Sequence, residues 1–306
     1  MVEYYRNVPA DMLEKFTRFR KEHPLKQANI SGISWEYITS GNPSGQPLVL
    51  LPGGLGTAES AWRMLIQLDS QKYRLICPSY PGQVGNMKGL SDGLAEILKQ
   101  EGVSSAYVVG GSYGSMLAQV FIHQHMEMVS RLVLTHAYPP SPKRAGSVEP
   151  TMRILKLAPM FMVKSLLRNQ MTGRLPANPP AELLLIAAQI RETLDKQLNR
   201  QTALNIYLRM ADFDRQYFTF SDLENWDGKT LIILAEDDPT TTEELRNELL
   251  AFYPGASLCL FKDGSQPTPF LETNEYVRVM EEFFSGKTDF GVENAGGSED
   301  EEPLGE

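Results

Sequence analysis

Short apolar runs alternate with amphipathic stretches between residues 47 and 137. The runs that start at residues 47, 73, 106 and 131 are nearly continuously apolar, as expected for strands covered on both faces. Between them, apolar residues recur three and four positions apart, which is the spacing of one helix face. The alternation predicts an α/β fold: a mostly parallel, helix-flanked sheet with right-handed crossovers.

The alternation stops at residue 138. Residues 138–228 contain no strand pattern, and we predict that they form a helical cap inserted between the strands at about 131–137 and 230–235. Such a cap would cover the crevice at the carboxyl ends of the strands, where open α/β sheets bind ligands. The alternative is a helical subdomain that only packs on the sheet. The predicted helices of this segment are 152–169, 181–197 and 202–215.

The two ends of the chain differ from its middle. Residues 1–29 contain one amphipathic run, at 9–22, and are predicted to form an N-terminal helical extension. The α/β core is then predicted to comprise residues 30–137 and 229–286. Residues 287–306 are rich in Gly, Asp, Glu and Ser with few apolar anchors, which predicts a disordered acidic tail.

Composition restricts the compartment and the partners. The chain has 306 residues, 42% of them hydrophobic, and a formal net charge of -9, with five of the acids in the last nine residues. An acidic chain lacks the basic surface that binds nucleic acid. The longest apolar stretch, 154–167, is interrupted by charges and a proline and is too short to span a bilayer. The first residues lack a secretory signal, and Cys77 and Cys259 are isolated, so we predict a cytoplasmic protein.

Gly110-Gly-Ser-Tyr-Gly114 is the strongest candidate for a functional site. A predicted strand precedes it and a predicted helix follows it, which is the context of the nucleophile elbow, Gly-x-Ser-x-Gly. The elbow turns so tightly that side chains at the outer glycines would collide with backbone. Its serine adopts a strained conformation that lifts the hydroxyl above the sheet edge. We therefore place Ser112 at the nucleophile position; the alternative is a turn of small residues without chemistry.

A glycine-rich loop follows the first buried strand, where an oxyanion hole is expected. The absence of side chains at Gly53 and Gly54 would let backbone N–H groups approach a developing negative oxygen. We predict that the N–H groups of Leu55 and Tyr113 form this oxyanion hole. An ordinary strand-to-helix turn is the alternative.

An acidic residue also occurs where a serine hydrolase would need one. Glu236-Asp-Asp238 directly follows the strand at 230–235, and we choose Asp238 over Asp237 as the acid that orients an imidazole. Aspartates in such loops also act as helix caps, so the position alone is weak support.

The histidine that should complete a triad is missing from its expected loop. That loop, residues 262–269, places Gln266 or Pro267 at the histidine position, and neither side chain can accept a proton at neutral pH. The four histidines lie at 23, 123, 125 and 136. His136, just after the strand at 131–135, is either a stand-in base or a histidine packed under the cap. Asp263 is a weaker candidate for a base.

The ordered set of glycine-rich loop, elbow, helical insertion and acid resembles the α/β-hydrolase fold over residues 30–285, which implies an eight-stranded sheet. Residues 79–85 of the chain depart from the usual superfamily pattern, Asp-x-x-Gly-x-Gly. Five further segments narrow the resemblance: Phe19-Arg20, Pro24-Leu25-Lys26, Gly56-Thr57-Ala58, Tyr73-Arg74 and Tyr80-Pro81. On these segments the chain resembles the maspardin-like subgroup, which keeps the elbow serine and lacks the usual histidine. The resemblance implies a non-catalytic, cytosolic binding protein.

Two functional hypotheses result. The first is a catalytically impaired binding or adaptor protein that holds a small apolar ligand or ester in a capped pocket, with a protein partner as a further possibility. The second is a weak serine hydrolase that acts on carboxylic esters or related acyl compounds. No nucleotide-binding glycine pattern or metal-ligand spacing is present, so neither cofactor nor metal is predicted. Four methionines of the insertion either fill its core or line the pocket: Met152, Met160, Met162 and Met171.

Overall fold

A single sheet organises the protein. The computed structural model describes residues 3–68, 71–172, 178–236, 238, 242–262, 273–290 and 292–293. Within these residues the sheet has nine strands in the order β1-β2-β4-β3-β5-β6-β7-β8-β9. Only the β1–β2 and β2–β4 pairs are antiparallel, so the predicted mostly parallel α/β fold is confirmed. The strands are β1 (Lys26–Ile30), β2 (Ile33–Gly41), β3 (Gln46–Leu51), β4 (Tyr73–Pro78), β5 (Ala106–Gly111), β6 (Val129–Thr135), β7 (Lys229–Ala235), β8 (Ser257–Phe261) and β9 (Val292–Glu293).

Helices connect the strands and cover both faces of the sheet. Five of them, α5 to α9, lie in one insertion between β6 and β7, where the sequence predicts helices and no strand. The helices are α1 (Ala10–Glu22), α2 (Trp62–Leu68), α3 (Met87–Gln100), α4 (Tyr113–Gln124), α5 (Pro142–Ser147), α6 (Glu149–Leu157), α7 (Met160–Thr172), α8 (Ala181–Lys196), α9 (Arg200–Asp214), α10 (Glu243–Phe252) and α11 (Thr273–Phe284).

Three boundaries differ from the sequence predictions. The sheet begins at Lys26 rather than at residue 30, because β1 pairs with β2 although its own sequence is largely polar. The run predicted as one helix at 152–169 is two helices, since Pro159 disfavours helical conformation in the residue before it. Part of the predicted tail is ordered, because β9 pairs with Leu260 and Phe261 of β8. Residues 294–306 of the predicted tail lie outside the described residues.

Alternate residues of the buried strands supply two apolar layers. In β3, Val49 belongs to the layer that contains Leu94 of α3. Its neighbour Leu48 belongs to the opposite layer, with Leu65 of α2 and Phe283 of α11. Successive side chains of a strand point to opposite faces, so a strand between two helical layers is apolar throughout. The continuous apolar runs of the sequence are explained by this arrangement.

The inserted helices have a small core of their own, and an ion pair closes the segment. Leu155, Leu167 and Leu194 are among the buried residues of this core. Arg144 Nε donates to Asp214 Oδ2 at 2.9 Å, and Arg144 Nη2 donates to the carbonyl oxygen of Pro139 at 2.6 Å. The start of the insertion is thereby joined to the end of α9.

The N-terminal helix is joined to the insertion by a buried carboxylate, that of Glu192 on α8. Glu192 Oε2 accepts hydrogen bonds from Arg20 Nη2 of α1 at 2.8 Å and from Tyr5 Oη at 2.5 Å. Lys196 Nζ donates to Oε1 at 2.7 Å. Arg20 Nη2 also contacts Glu59 Oε2 at 2.6 Å. A single arginine of α1 therefore links the sheet domain to the inserted helices.

This carboxylate is expected to make stability depend on acid pH. Burial raises the pKa of Glu192, but hydrogen bonds from Lys196, Tyr5 and Arg20 outweigh it and lower the pKa from 4.5 to about 2. Because the folded pKa is the lower one, the stabilisation is complete above about pH 4.5 and is lost as the pH falls towards 2. We expect Glu192→Gln to reduce the free energy of unfolding by up to about 3 kcal/mol at neutral pH. Urea denaturation of both proteins across this pH range measures the difference, and a pH-independent difference would contradict the assignment.

Candidate functional site

The predicted elbow is a strained turn between β5 and α4. Ser112 has φ 50° and ψ -115°, in the left-handed half of backbone space that residues with a Cβ rarely adopt. A Cβ at Gly114 would overlap the carbonyl oxygen of Leu51, and one at Gly110 would lie 2.5 Å from the carbonyl oxygen of Gly114. The outer glycines are thus required by close backbone contacts. The half-buried Ser112 lies at the carboxyl edge of the sheet, at the N-terminus of α4.

The glycine-rich loop after β3 lies directly against this elbow. A Cβ at Gly53 would lie 2.9 Å from the carbonyl oxygen of Gly111 and 3.4 Å from Ser112 Cβ. Gly54 has φ +58°, a conformation that turns the loop over the strand end. The N–H groups of Leu55 and Tyr113 donate to no backbone acceptor among the described residues. Both therefore remain available donors beside Ser112, and their role as an oxyanion hole stays a prediction.

His136 and Asp238 form a buried pair at the same edge of the sheet. His136 Nδ1 lies 3.0 Å from Asp238 Oδ2, and His136 is 3% exposed. His136 has φ 48° and donates its N–H to the carbonyl oxygen of Ile233, so the chain turns away from β6 at this residue. Histidine is one of the residues enriched in this conformation. The acid chosen from the sequence thus contacts an imidazole, that of His136 just after β6, and its role as the triad acid stays a prediction.

The other ring nitrogen of His136 contacts a tyrosine that the sequence analysis missed. His136 Nε2 lies 2.9 Å from the hydroxyl of Tyr276, and Tyr276 is fully buried on α11. A carboxylate only accepts hydrogen bonds, so His136 Nδ1 carries a proton and donates to Asp238. Nε2, the atom that a general base would use, is hydrogen-bonded to the Tyr276 hydroxyl.

Ser112 and His136 are neighbours, yet no hydrogen bond joins their side chains. Gly111 pairs with Thr135 across β5 and β6, and the Ser112 N–H donates to the carbonyl oxygen of Thr135 at 2.9 Å. Ser112 thus directly follows β5 and His136 directly follows β6, and these two strands are paired. Among the described residues, Ser112 Oγ has no hydrogen-bond partner.

Residues 263–269 of the loop predicted to lack the triad histidine lie outside the described residues, and these include Asp263, Gln266 and Pro267. Asp237, in the acidic loop after β7, also lies outside them. Their proposed positions stay predictions.

A cavity of about 270 Å³ lies beside the glycine-rich loop, under α8 and α9. It is lined on one side by Leu55 and Tyr80 and on the other by Arg209 of α9, which is 2% exposed. The sequence analysis did not single out Arg209, since a charged residue within a helix is usually solvated. Thr202 and Asn205 lie seven and four positions before Arg209, so all three residues are on one helix face. This spacing was the signal in the sequence that could have grouped Arg209 with them.

One of the four methionines approaches the site. Met171 Cε, near the end of α7, would lie 3.4 Å from a Cβ at Gly54. The inserted helices therefore reach the glycine-rich loop. Met162 is instead 52% exposed, and Met152 and Met160 are partly buried.

The described part of the chain offers neither a metal-binding cluster nor a membrane-spanning helix. It contains no group of three or more His, Cys, Asp or Glu side chains that could hold a metal ion. None of its helices combines the length and the apolar composition that a membrane span requires. Cys77 and Cys259 are both buried, in β4 and β8.

Comparison with known proteins agrees with this geometry. The alpha/beta hydrolase fold family matches residues 46–271. Maspardin of Danio rerio is 25% identical over 283 residues, which cover 88% of this chain and 86% of that protein. The proline iminopeptidase PfmaB of Pestalotiopsis fici is 24% identical over 230 residues, covering 68% and 81%. A solved hydrolase structure from Pseudomonas aeruginosa has a TM-score of 0.70 at 19% identity and covers 86% of this chain and 99% of that one. The chain therefore belongs to the α/β-hydrolase fold family, and its predicted resemblance to maspardin-like proteins is confirmed.

Proposed function

We propose that this protein is a catalytically impaired member of its family that binds a small molecule beneath the inserted helices. The observation that carries the proposal is the engagement of His136. Its Nδ1 contacts Asp238 and its Nε2 contacts Tyr276, while Ser112 Oγ has no described partner. The acid and an imidazole are thus both present, but they are used in a contact with α11.

Chemistry explains why this arrangement favours binding over turnover. A serine hydroxyl is a poor nucleophile unless a neighbouring group takes its proton. In a related triad system the loss of histidine costs on the order of 10⁶ in kcat, and the remaining groups leave roughly 10³–10⁴ over water. The resemblance to maspardin-like proteins, which lack the usual histidine, supports the same conclusion.

A fluorophosphonate probe and an activated ester test the proposal on the full chain. We expect little labelling of Ser112 and little ester hydrolysis above the buffer rate, because no imidazole accepts the Ser112 proton. Mass spectrometry of the labelled protein measures the stoichiometry, and Ser112→Ala is the matched control. Rapid stoichiometric labelling that disappears in Ser112→Ala would overturn the proposal.

A weak serine hydrolase with His136 as stand-in base is the second candidate. It is favoured by the adjacency of Ser112 and His136 at the ends of paired strands. Under this alternative Tyr276→Phe removes only the hydroxyl at Nε2 and raises ester turnover, whereas His136→Ala abolishes it. Turnover that persists in His136→Ala would exclude His136 as the base. The cytoplasmic location and a protein partner stay predictions from the sequence.

A further inference from the structure

The cavity under α8 and α9 is lined by a buried cation, Arg209, of which one terminal nitrogen has no partner among the described residues. Arg209 Nε donates to the carbonyl oxygen of Asn205 at 3.1 Å. Nη1, which carries two N–H donors, is buried and has no partner. The guanidinium also meets the Tyr113 side chain.

No described carboxylate compensates the charge of Arg209. No described Asp or Glu forms an ion pair with it, in contrast to Arg144 and Arg20. Glu36 is the acidic residue among the described lining residues, and it is partly exposed on β2. A buried ion without an opposite charge destabilises the folded state. The protein therefore retains an unfavourable group at a position that faces a cavity.

Contacts of α9 hold this guanidinium in place. Asn205 Nδ2 donates to the carbonyl oxygen of Gly82 at 2.8 Å, and Asp212 Oδ2 accepts from the Met87 N–H at 2.8 Å. A Cβ at Gly85 would lie 3.1 Å from Asn205 Oδ1, so the loop backbone packs closely on the helix. Arg209 lies between Asn205 and Asp212 on this anchored face. Its position is thus fixed before any ligand arrives, which lowers the entropic cost of binding.

Arg209 also connects the cavity to the elbow. Its guanidinium carbon lies 5.7 Å from the ring centroid of Tyr113, the residue after Ser112. The hydroxyl of Tyr113 is buried, with the Arg209 side chain as its hydrogen-bonding neighbour. Burial raises the pKa of Tyr113 to about 12, although the nearby guanidinium lowers it, so this hydroxyl stays protonated. The Tyr113 hydroxyl and the Arg209 guanidinium thus lie together beside the candidate site.

We propose that this cavity binds a small carboxylic acid, whose carboxylate accepts hydrogen bonds from the terminal nitrogens of Arg209. The planar fork of a guanidinium matches a carboxylate with two parallel hydrogen bonds. The volume of about 270 Å³ limits the ligand to a small organic acid. This assignment changes the apolar ligand expected from the sequence to an anionic one. It rests on the proposed binding function but is independent of whether Ser112 reacts.

Matched pairs of acids and amides test the proposal on the full chain. Benzoate with benzamide and hexanoate with hexanamide differ only in the group that would meet Arg209. In isothermal titration calorimetry we expect at least one acid to bind roughly tenfold to a hundredfold more tightly than its amide. Inorganic phosphate is measured in parallel, since a guanidinium also recognises phosphate.

Three variants assign the binding to Arg209. Arg209→Met is expected to abolish the preference for the acid, and Arg209→Lys to weaken acid binding because it loses the fork. Arg215→Met removes the same charge from an exposed position at the end of α9 and should leave binding unchanged. Without ligand, Arg209→Met should melt at the same or a higher temperature, because it removes an uncompensated buried charge. A structural role for Arg209 would lower the melting temperature instead.

The proposal is overturned if the acids bind no better than their amides, if no acid binds at millimolar concentration, or if phosphate alone binds. It is also overturned if Arg209→Met and Arg209→Lys both retain the preference for the acid. None of these results depends on labelling of Ser112, so failure here is distinguishable from failure of the proposed impairment.

Discussion

Gln266→His or Pro267→His is expected to raise ester turnover by on the order of 10²-fold when it is combined with His136→Gly. The new imidazole would come from the loop after β8, the usual source of the base in this fold. It needs Asp238 to orient it, and Asp238 Oδ2 is occupied by His136 Nδ1 at 3.0 Å. Removal of the His136 imidazole frees this acceptor, and glycine suits the φ of 48° at position 136.

The single variants are expected to gain less than the double variants, because two imidazoles then compete for one carboxylate. For each new histidine, ester hydrolysis is measured with the purified parent, the two single variants and the double variant. The four rates give the coupling between position 136 and the new histidine. Adding Ser112→Ala to the most active variant should return the rate to that of the parent. If neither position gains activity with or without His136→Gly, the crevice is remodelled beyond the missing imidazole.

Gly114→Ala is expected to destabilise the fold by about 3 kcal/mol or more, which is a large effect for one methyl group. The added Cβ would overlap the carbonyl oxygen of Leu51 and lie 2.9 Å from that of Pro52. Both neighbours are backbone atoms at the end of β3, so neither can move without displacing the glycine-rich loop. Because the clash cannot be relieved locally, most of its cost should appear in the free energy of unfolding. Chemical denaturation of the variant and the parent measures this cost.

Gly146→Ala provides the matched control. Gly146 lies in α5, and a Cβ there would meet no atom within 4 Å. Alanine is favoured over glycine within a helix by roughly 0.5–1 kcal/mol, so this variant should be as stable as the parent or slightly more stable. Equal losses at both glycines would show that the cost at Gly114 does not come from the β3 backbone.

The parts of the molecule that the sequence predicted are those encoded by local patterns. Runs such as 47–51 are apolar because helices cover both faces of β3. The tight turn around Ser112 was recognisable because Gly110 and Gly114 meet backbone that no side chain could share. Asp238 was singled out because it follows a buried strand, and its role stays a prediction. Each of these inferences uses only neighbours in the chain.

The contacts that decide the chemistry join residues far apart in sequence. His136 and Tyr276 are separated by 140 positions, and nothing local to either residue indicates that one meets the other. In the sequence Arg209 resembles a solvated helix residue. Its burial becomes evident only from the packing of α9 on the loop after β4. β1 is similar, since its polar sequence becomes a strand only through pairing with β2.

The role of Arg20 has a practical consequence for shortened forms of the protein. The family match covers residues 46–271, which excludes both α1 and α11. A fragment trimmed to that range would lose Arg20, which donates a hydrogen bond to Glu192. It would also lose Tyr276, whose hydroxyl is hydrogen-bonded to His136. It would also uncover the apolar layer that contains Leu48 and Leu65. Exposed apolar surface of that extent promotes aggregation. Soluble expression therefore requires the chain from α1 through α11.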